Sequence, residues 1–369
     1  MSSFSFFKVP QLVQQLILGI SEPCELITIA LCSKRAHFLV RSSYSIKSAN
    51  KQWRHSFVGG DQLSEVLVYT RSCKYKVFGI LSEDAEEKKA EKRKIYDLKF
   101  QANAETHECQ VALDENGNLD TIWKDVERGK RILPIFITEL LNMEIDDAIV
   151  DGAGVAALKF LNDRQEKKIR QILCPVNFSG EGSSEEMISG PNLHSLLTDY
   201  PATLSLMIKA KTPDDFKCPE KLPSFNMLCL THASWIFIED IMRMDIEAIT
   251  VGEAKISNLD LNRFLKHWLA GGSPKLKLLT VGPLTLDINT FNDLEQMTVF
   301  NDQPRQIQMQ YGAPNAIPTH PWFRYHSRRR ENGHTPLSRT ELQYYCMAET
   351  QGRIGFLIPI LSGGYQLNL

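Results

Sequence analysis

At 369 residues the chain is long enough for two domains with a core each. Its residues are 43% apolar and 23% charged, with a formal net charge of −2, an ordinary globular composition that gives no reason to expect a polyanion or an anionic membrane as the main partner. The eight cysteines are scattered without CxxC pairs or histidines at zinc spacing, which suits reduced thiols of the cytosol or nucleus and predicts neither a disulfide frame nor a structural zinc.

The densest apolar stretch, "FSFFKVPQLVQQLILGISEPCELITIALCSKRAHFLV", runs from Phe4 to Val40. Gln11, Gln14 and Gln15 interrupt it and no small-x-small site follows, so it does not read as an export signal; no uninterrupted apolar run of about 18 residues predicts a membrane span. Pro10 suits the first turn of a helix. After it Leu12, Val13, Leu16, Ile17 and Ile20 recur at helical spacing, with the glutamines on the other side. Gly19 and Ser21 end that helix. Pro23 opens a second, with Glu22 and Glu25 near its positive end and Leu26, Ile27, Ala30 and Leu31 as its stripe. Lys34 and Arg35 mark a polar break before Phe38, Leu39 and Val40. Three helices this short hide only part of such a surface, and each large side chain left exposed forfeits about 1.5–3 kcal/mol of burial. They need a cover, either the rest of this chain or another protein.

Further along, "EDAEEKKAEKRK" (83–94) reads as a solvated insertion between the strand-like stretches Phe78–Leu81 and Ile95–Phe100, and "FSGEGSSEEMISG" (178–190) as an exposed loop. The clearest pattern lies at 248–286. Strand-like "AITVGEAKI" from Ala248 and "LLTVGPLTL" from Leu278 enclose a helix. Ser257 or Asn258 caps it, Leu261, Phe264, Leu265, Trp268 and Leu269 form its stripe, and Gly271 and Gly272 stop it. Strand, helix, strand at this period is one turn of a leucine-rich-repeat-like solenoid. The two-residue strand period points Ile249, Val251, Leu279 and Val281 to the core and Thr250 and Thr280 outward. Weaker copies of the strand portion lie near Ala148 and Leu204. "HPWFRYHSRRRENGH" (320–334) mixes Trp322 with Arg328, Arg329 and Arg330; a plain exposed loop is the simplest reading, and an acidic or phosphorylated peptide or single-stranded nucleic acid are ligands it would suit. "RIGFLIPILSGGYQLNL" predicts one or two closing strands. There is no GxSxG elbow, Walker loop or HExxH, so no enzymatic activity, catalytic residue, cofactor or metal is expected.

Two stretches carry a family resemblance. Phe7-x-Val9-Pro10, Val13, Ile17-Leu18, Glu22-Pro23-x-Glu25-Leu26 and Leu31-Cys32-Ser33-Lys34-Arg35 resemble an F-box, with Val9 for the usual Leu and Glu22 for the helix-capping Asp, a poorer cap that predicts a slightly frayed second helix. "LDLNRFLKHWLAGGSPKLKLL", from Leu259 to Leu279, is similar to the F-box-associated region of nematode F-box proteins. The resemblance implies a substrate-recognition subunit of an SCF-type ubiquitin ligase, cytoplasmic or nuclear. It would bind a Skp1-like adaptor, and through it a cullin, by Val9, Pro10, Val13, Ile17, Leu26 and Leu31, some of which must instead hold the helices together. An unidentified protein substrate would sit on the C-terminal domain, with Thr250, Thr280, Trp322 and Arg328–Arg330 as candidate contacts; neither a membrane nor a nucleic acid is the expected partner. The alternative is a non-catalytic repeat-type scaffold whose N-terminal helices cap its own core. The expected architecture is mixed α/β: a three-helix F-box (3–45), a connecting region (46–104), an irregular leucine-rich-repeat-like strand–helix domain (105–290) and a strand-rich extension of it (291–369).

Overall fold

The computed structural model of the protein describes residues 6–45, 53–61, 64–70, 73–84, 94–114, 116–175, 187–200 and 204–282, and two strands at 345–347 and 354–357. Two compact units, Met1–Ser184 and Glu185–Leu369, each mix helices with strands.

The first unit opens with a 3-10 turn, Phe6–Lys8, and three helices, α1 (Gln11–Ile20), α2 (Pro23–Cys32) and α3 (Lys34–Ser45). Ser21 closes α1, its N–H and hydroxyl both donating to the Ile17 carbonyl at 3.1 and 3.0 Å. At the start of α2 the Glu22 N–H donates to the Glu25 carboxylate at 2.9 Å, and the Glu22 carboxylate accepts the Tyr75 hydroxyl at 3.0 Å. The longer acid thus ties the first turn of α2 to a strand 53 residues away.

Eight strands follow: β1 (Arg54–Gly59), β2 (Ser64–Tyr69), β3 (Lys74–Ser82), β4 (Tyr96–Ala102), β5 (Glu105–Leu113), β6 (Leu119–Trp123), β7 (Ile145–Val150) and β8 (Gln171–Cys174). They lie in the order β8-β7-β1-β2-β3-β6-β5-β4. β1, β2 and β3 form an antiparallel meander, as do β6, β5 and β4, while β3–β6, β1–β7 and β7–β8 are parallel. Helix α4 (Val126–Leu141) follows β6, its first turn capped by the Asp125 carboxylate, which accepts the Arg128 N–H at 3.1 Å. A shorter helix, α5 (Val155–Asn162), follows β7. Leu133, Phe136, Ile137 and Leu140 of α4 meet Val66, Val68, Val77, Phe78 and Phe100 of the sheet, and Leu26, Ile27, Ala30 and Val40 of α2 and α3 belong to the same core. The Phe136 and Phe100 rings pack edge to face at 5.1 Å. Residues 46–104, expected to be a connection, supply β1–β4 of this sheet.

The second unit comprises α6 (Gly190–Thr198), β9 (Ser205–Ile208), β10 (Met227–Leu230), α7 (Ile238–Arg243), β11 (Ala248–Gly252), α8 (Asn258–Leu269), β12 (Leu278–Gly282), β13 (Tyr345–Met347) and β14 (Ile354–Leu357). β9 to β12 are parallel, each beside the next in sequence, and β14 and β13 add antiparallel strands beyond β12. The register sets Leu206, Leu228, Ile249 and Leu279 side by side, then Ile208, Leu230, Val251 and Val281 two residues on, all buried. This is the core face that the strand period predicts. Ser257 caps α8: its hydroxyl accepts the Asp260 N–H at 3.2 Å and its N–H donates to the Asp260 carboxylate at 3.0 Å. At the end of β11, Gly252 lies so close to the preceding turn that a Cβ would sit 2.2 Å from the Thr231 carbonyl oxygen, so only glycine fits there.

Candidate docking surfaces

Helix α1 shows what the rest of the first unit leaves uncovered. At about 100° per residue, Leu12, Leu16, Ile20 and Val13 fall within one ~100° arc, and Gln14 and Leu18 lie opposite. The apolar arc faces outward, with Leu12 68%, Leu16 59% and Ile20 84% exposed, and the buried side chains are Gln14 and Leu18. Gln14 can be buried because its amide donates to the Val9 carbonyl at 2.8 Å. The helix thus turns a glutamine inward and three large aliphatic side chains outward, an exposed apolar arc that the described residues do not cover. On α3, Phe38 is 71% exposed, and the Arg35 guanidinium lies 4.6 Å from the centre of the Phe7 ring.

The six residues assigned to adaptor binding occupy different places. Pro10 and Val13 are exposed; Val9, Ile17 and Leu31 are half-buried, and Leu31 packs against the core of the unit. Leu26 is fully buried within that core, so it supports the helices and offers no surface. Leu12, Leu16, Ile20 and Phe38 are the most exposed apolar side chains of the three helices and were absent from that assignment. The signal that finds them is the helical arc opposite Gln14.

In the second unit Thr250 and Thr280 sit side by side on β11 and β12, and Thr250 pairs with Cys229, which pairs with Met207. The four are half-buried on the face opposite the core. Beyond these strands the turns are fastened by polar contacts. The Trp235 indole N–H donates to the Thr212 hydroxyl at 2.9 Å, the Thr212 hydroxyl donates to the His232 carbonyl, and His232 Nδ1 lies 2.8 Å from the Glu253 carboxylate. Trp322 and Arg328–Arg330, like most of 83–94 and 178–190, lie outside the described residues.

Burial pushes the Cys109 and Cys218 thiols up to about 12, so both are protonated and poor nucleophiles at neutral pH. Among the described residues no group of three or more His, Cys, Asp or Glu side chains gathers in a way that could hold a metal ion, and no helix is long and apolar enough to cross a membrane.

Residues 219–281 match a family model described as F-box associated. The match runs from the segment before β10 almost to the end of β12 and includes the loop contacts of His232 and Trp235. A stretch of 92 residues, 25% of the chain, is 29% identical to the E3 ubiquitin-protein ligase hecw-1 of Caenorhabditis elegans, of which it covers 7%. No solved structure matches the chain.

Proposed function

We propose that the protein is a substrate-recognition subunit of an SCF-type ubiquitin ligase: α1 docks on a Skp1-like adaptor and the second unit holds the protein to be modified. The observation that carries this reading is the outward apolar arc of α1, mounted on a pair of helices locked into the core of the first unit. The F-box associated match in the second unit and the resemblance of residues 7–40 to an F-box point the same way. The receptor contributes proximity. Holding a substrate lysine near a ubiquitin thioester raises its effective concentration, with no cofactor and no chemistry of its own. Substrate binding falls to the second unit, whose consecutive parallel strands we read as an irregular leucine-rich-repeat-like array, and to the half-buried Met207–Cys229–Thr250–Thr280 face. The cytosol or nucleus is the compartment this assembly requires.

Co-expression of the full chain with a Skp1-like adaptor tests the proposal. The wild type co-purifies in a stoichiometric complex. Leu12→Asp with Leu16→Asp, which puts two charges on the exposed arc, abolishes capture and leaves the unfolding midpoint unchanged. Burial of Leu26 and Ile27 also suits the scaffold reading, in which the helices serve only as a cap. A monomeric wild type indifferent to the adaptor would establish that alternative.

A further inference from the structure

β4 closes one side of the sheet of the first unit, and among the described residues it pairs with β5 alone. The register runs unbroken from Tyr96 opposite Val111 to Ala102 opposite Glu105, and the turn between is Asn103 and Ala104, with φ of 52° and 61°. A two-residue turn with both φ values positive makes the flanking Ala102 and Glu105 a hydrogen-bonded pair, and such pairs recur at every second residue. Tyr96, Leu98, Phe100 and Ala102 therefore direct their backbone groups to β5. The N–H and C=O groups of Asp97, Lys99 and Gln101 point the other way, to the open edge, and the side chains of these three are exposed. The Lys99 ammonium lies 2.6 Å from the Glu108 carboxylate of β5, and Asp97 stands opposite Gln110. On the other face Phe100 is buried against the Trp123 and Phe136 rings, whereas Leu98 is half-buried and Tyr96 is 58% exposed.

An open edge of seven residues is a template for another strand, and the charges along it decide which strand and which register it accepts. Two copies of β4 can meet antiparallel in few ways. Centred on Asp97, the pairing sets that carboxylate against its own copy; centred on Lys99, it sets two ammonium groups together, and both repel. Centred on Phe100, it leaves Asp97 facing the hairpin turn. Centred on Leu98, it places Asp97 opposite Lys99 twice over, and each of these pairs exchanges two backbone hydrogen bonds from groups that already point outward. On the other face Leu98 then meets Leu98, and the exposed Tyr96 ring comes to lie beside Phe100, which is fixed in the core. We infer that β4 pairs with β4 of a second copy of this chain, antiparallel and centred on Leu98, joining two first units edge to edge. What selects a second copy is that the strand carries its own complement, an acid and a base two residues apart about a half-buried leucine. The inference does not rest on the ligase reading. Taken with it, the pairing sets two recognition arcs and two substrate-holding units in one assembly, which strengthens the hold on a target with repeated sites.

The test is sedimentation equilibrium of the full chain on its own. The wild type is expected to be a dimer that dissociates on dilution. Lys99→Pro removes one outward N–H and spares the ladder to β5; it should leave a monomer with the circular dichroism spectrum of the wild type. Charge reversal is read in a Glu108→Gln background, which takes away the carboxylate beside Lys99. There Asp97→Lys alone, or Lys99→Asp alone, sets like charges face to face in both symmetric pairs and should raise the dimer dissociation constant about tenfold. Asp97→Lys together with Lys99→Asp exchanges the two charges and should restore the dimer, a rescue that a folding defect in either substitution would not give. The inference is overturned by a wild type that stays monomeric up to its solubility limit, by a dimer that survives Lys99→Pro, or by a double variant no tighter than the single ones. It is overturned as well if Leu12→Asp with Leu16→Asp dissolves the dimer, because the contact would then be the arc of α1.

Discussion

Helices α1 and α2 are each ten residues long, lie next to one another in the chain and are similarly apolar in composition. In α2 the arc formed by Pro23, Leu26, Ile27 and Ala30 is wholly buried, because α3 and β3 pack against it within the core of the unit. In α1 the arc formed by Leu12, Leu16 and Ile20 points away, and the contact with the unit is made by the opposite side. An apolar stripe therefore states that a helix needs covering and is silent about what covers it. Burial within the chain takes up one helix and leaves the arc of the other exposed, and substitutions at the two should divide along that line.

The sharpest break is removal of residues 1–45. It strips Leu18, Leu26, Ile27, Ala30 and Val40 from the core, and the cooperative unfolding transition of the first unit is expected to vanish in circular dichroism; its survival would make the helices a detachable module and end the comparison. A single Leu26→Ala should cost about 2–5 kcal/mol of stability, the range for a fully buried leucine, measured by denaturant titration. Leu16→Asp, at the matching place on α1, should stay within about 0.5 kcal/mol of wild type in the same titration, although it ends adaptor capture. Thr250→Val, on the half-buried face of the second unit, should change stability by a similarly small amount, and any larger effect would reveal a partner within the chain.

One titration sharpens the picture of the core that α2 and α3 join. His55 is fully buried on β1, with Nδ1 3.3 Å from the Met143 carbonyl, and burial pushes its imidazole from its ordinary 6.5 down to about 4. The folded unit therefore favours the neutral ring more strongly than the unfolded chain does. The stability this brings is fully present above about 6.5 and is lost as pH falls towards about 4. Burial raises the Asp146 and Asp147 carboxyls, which works in the opposite sense as pH falls. The comparison is accordingly between wild type and His55→Gln, and the difference between their melting temperatures should change across pH 6.5 to 4 and be flat above it.

Much of the second unit was legible because its signals are local. Ser257 as cap, Leu261, Phe264 and Leu265 as the buried stripe of α8, and the inward placement of Ile249, Val251, Leu279 and Val281 all follow from period and capping chemistry read over a few residues. Of the weaker copies, the one near Leu204 falls on β9 of this unit and the one near Ala148 on β7 of the first, and the C-terminal strand at Ile354–Leu357 pairs with β12. β10, "MLCL", passed unnoticed: four residues are too few to show a period, and only its parallel neighbours make it a strand. In the first unit, Phe78–Leu81 and Ile95–Phe100 read correctly as strands, but their place in an eight-strand order rests on contacts between residues up to about a hundred positions apart, which no local pattern encodes. The same limit governed the docking residues. Periodicity finds the stripe on α1 and the stripe on α2 alike, and only the distant β3 decides that Leu26 is core and Leu16 is not.

The bond from Tyr75 to Glu22 and the packing of α2 against β3 tie the start of the second helix directly to the sheet. On the proposed reading, a protein docked on α1 would sit beside a helix that is itself fastened to β3, with Glu22 and Tyr75 at the joint.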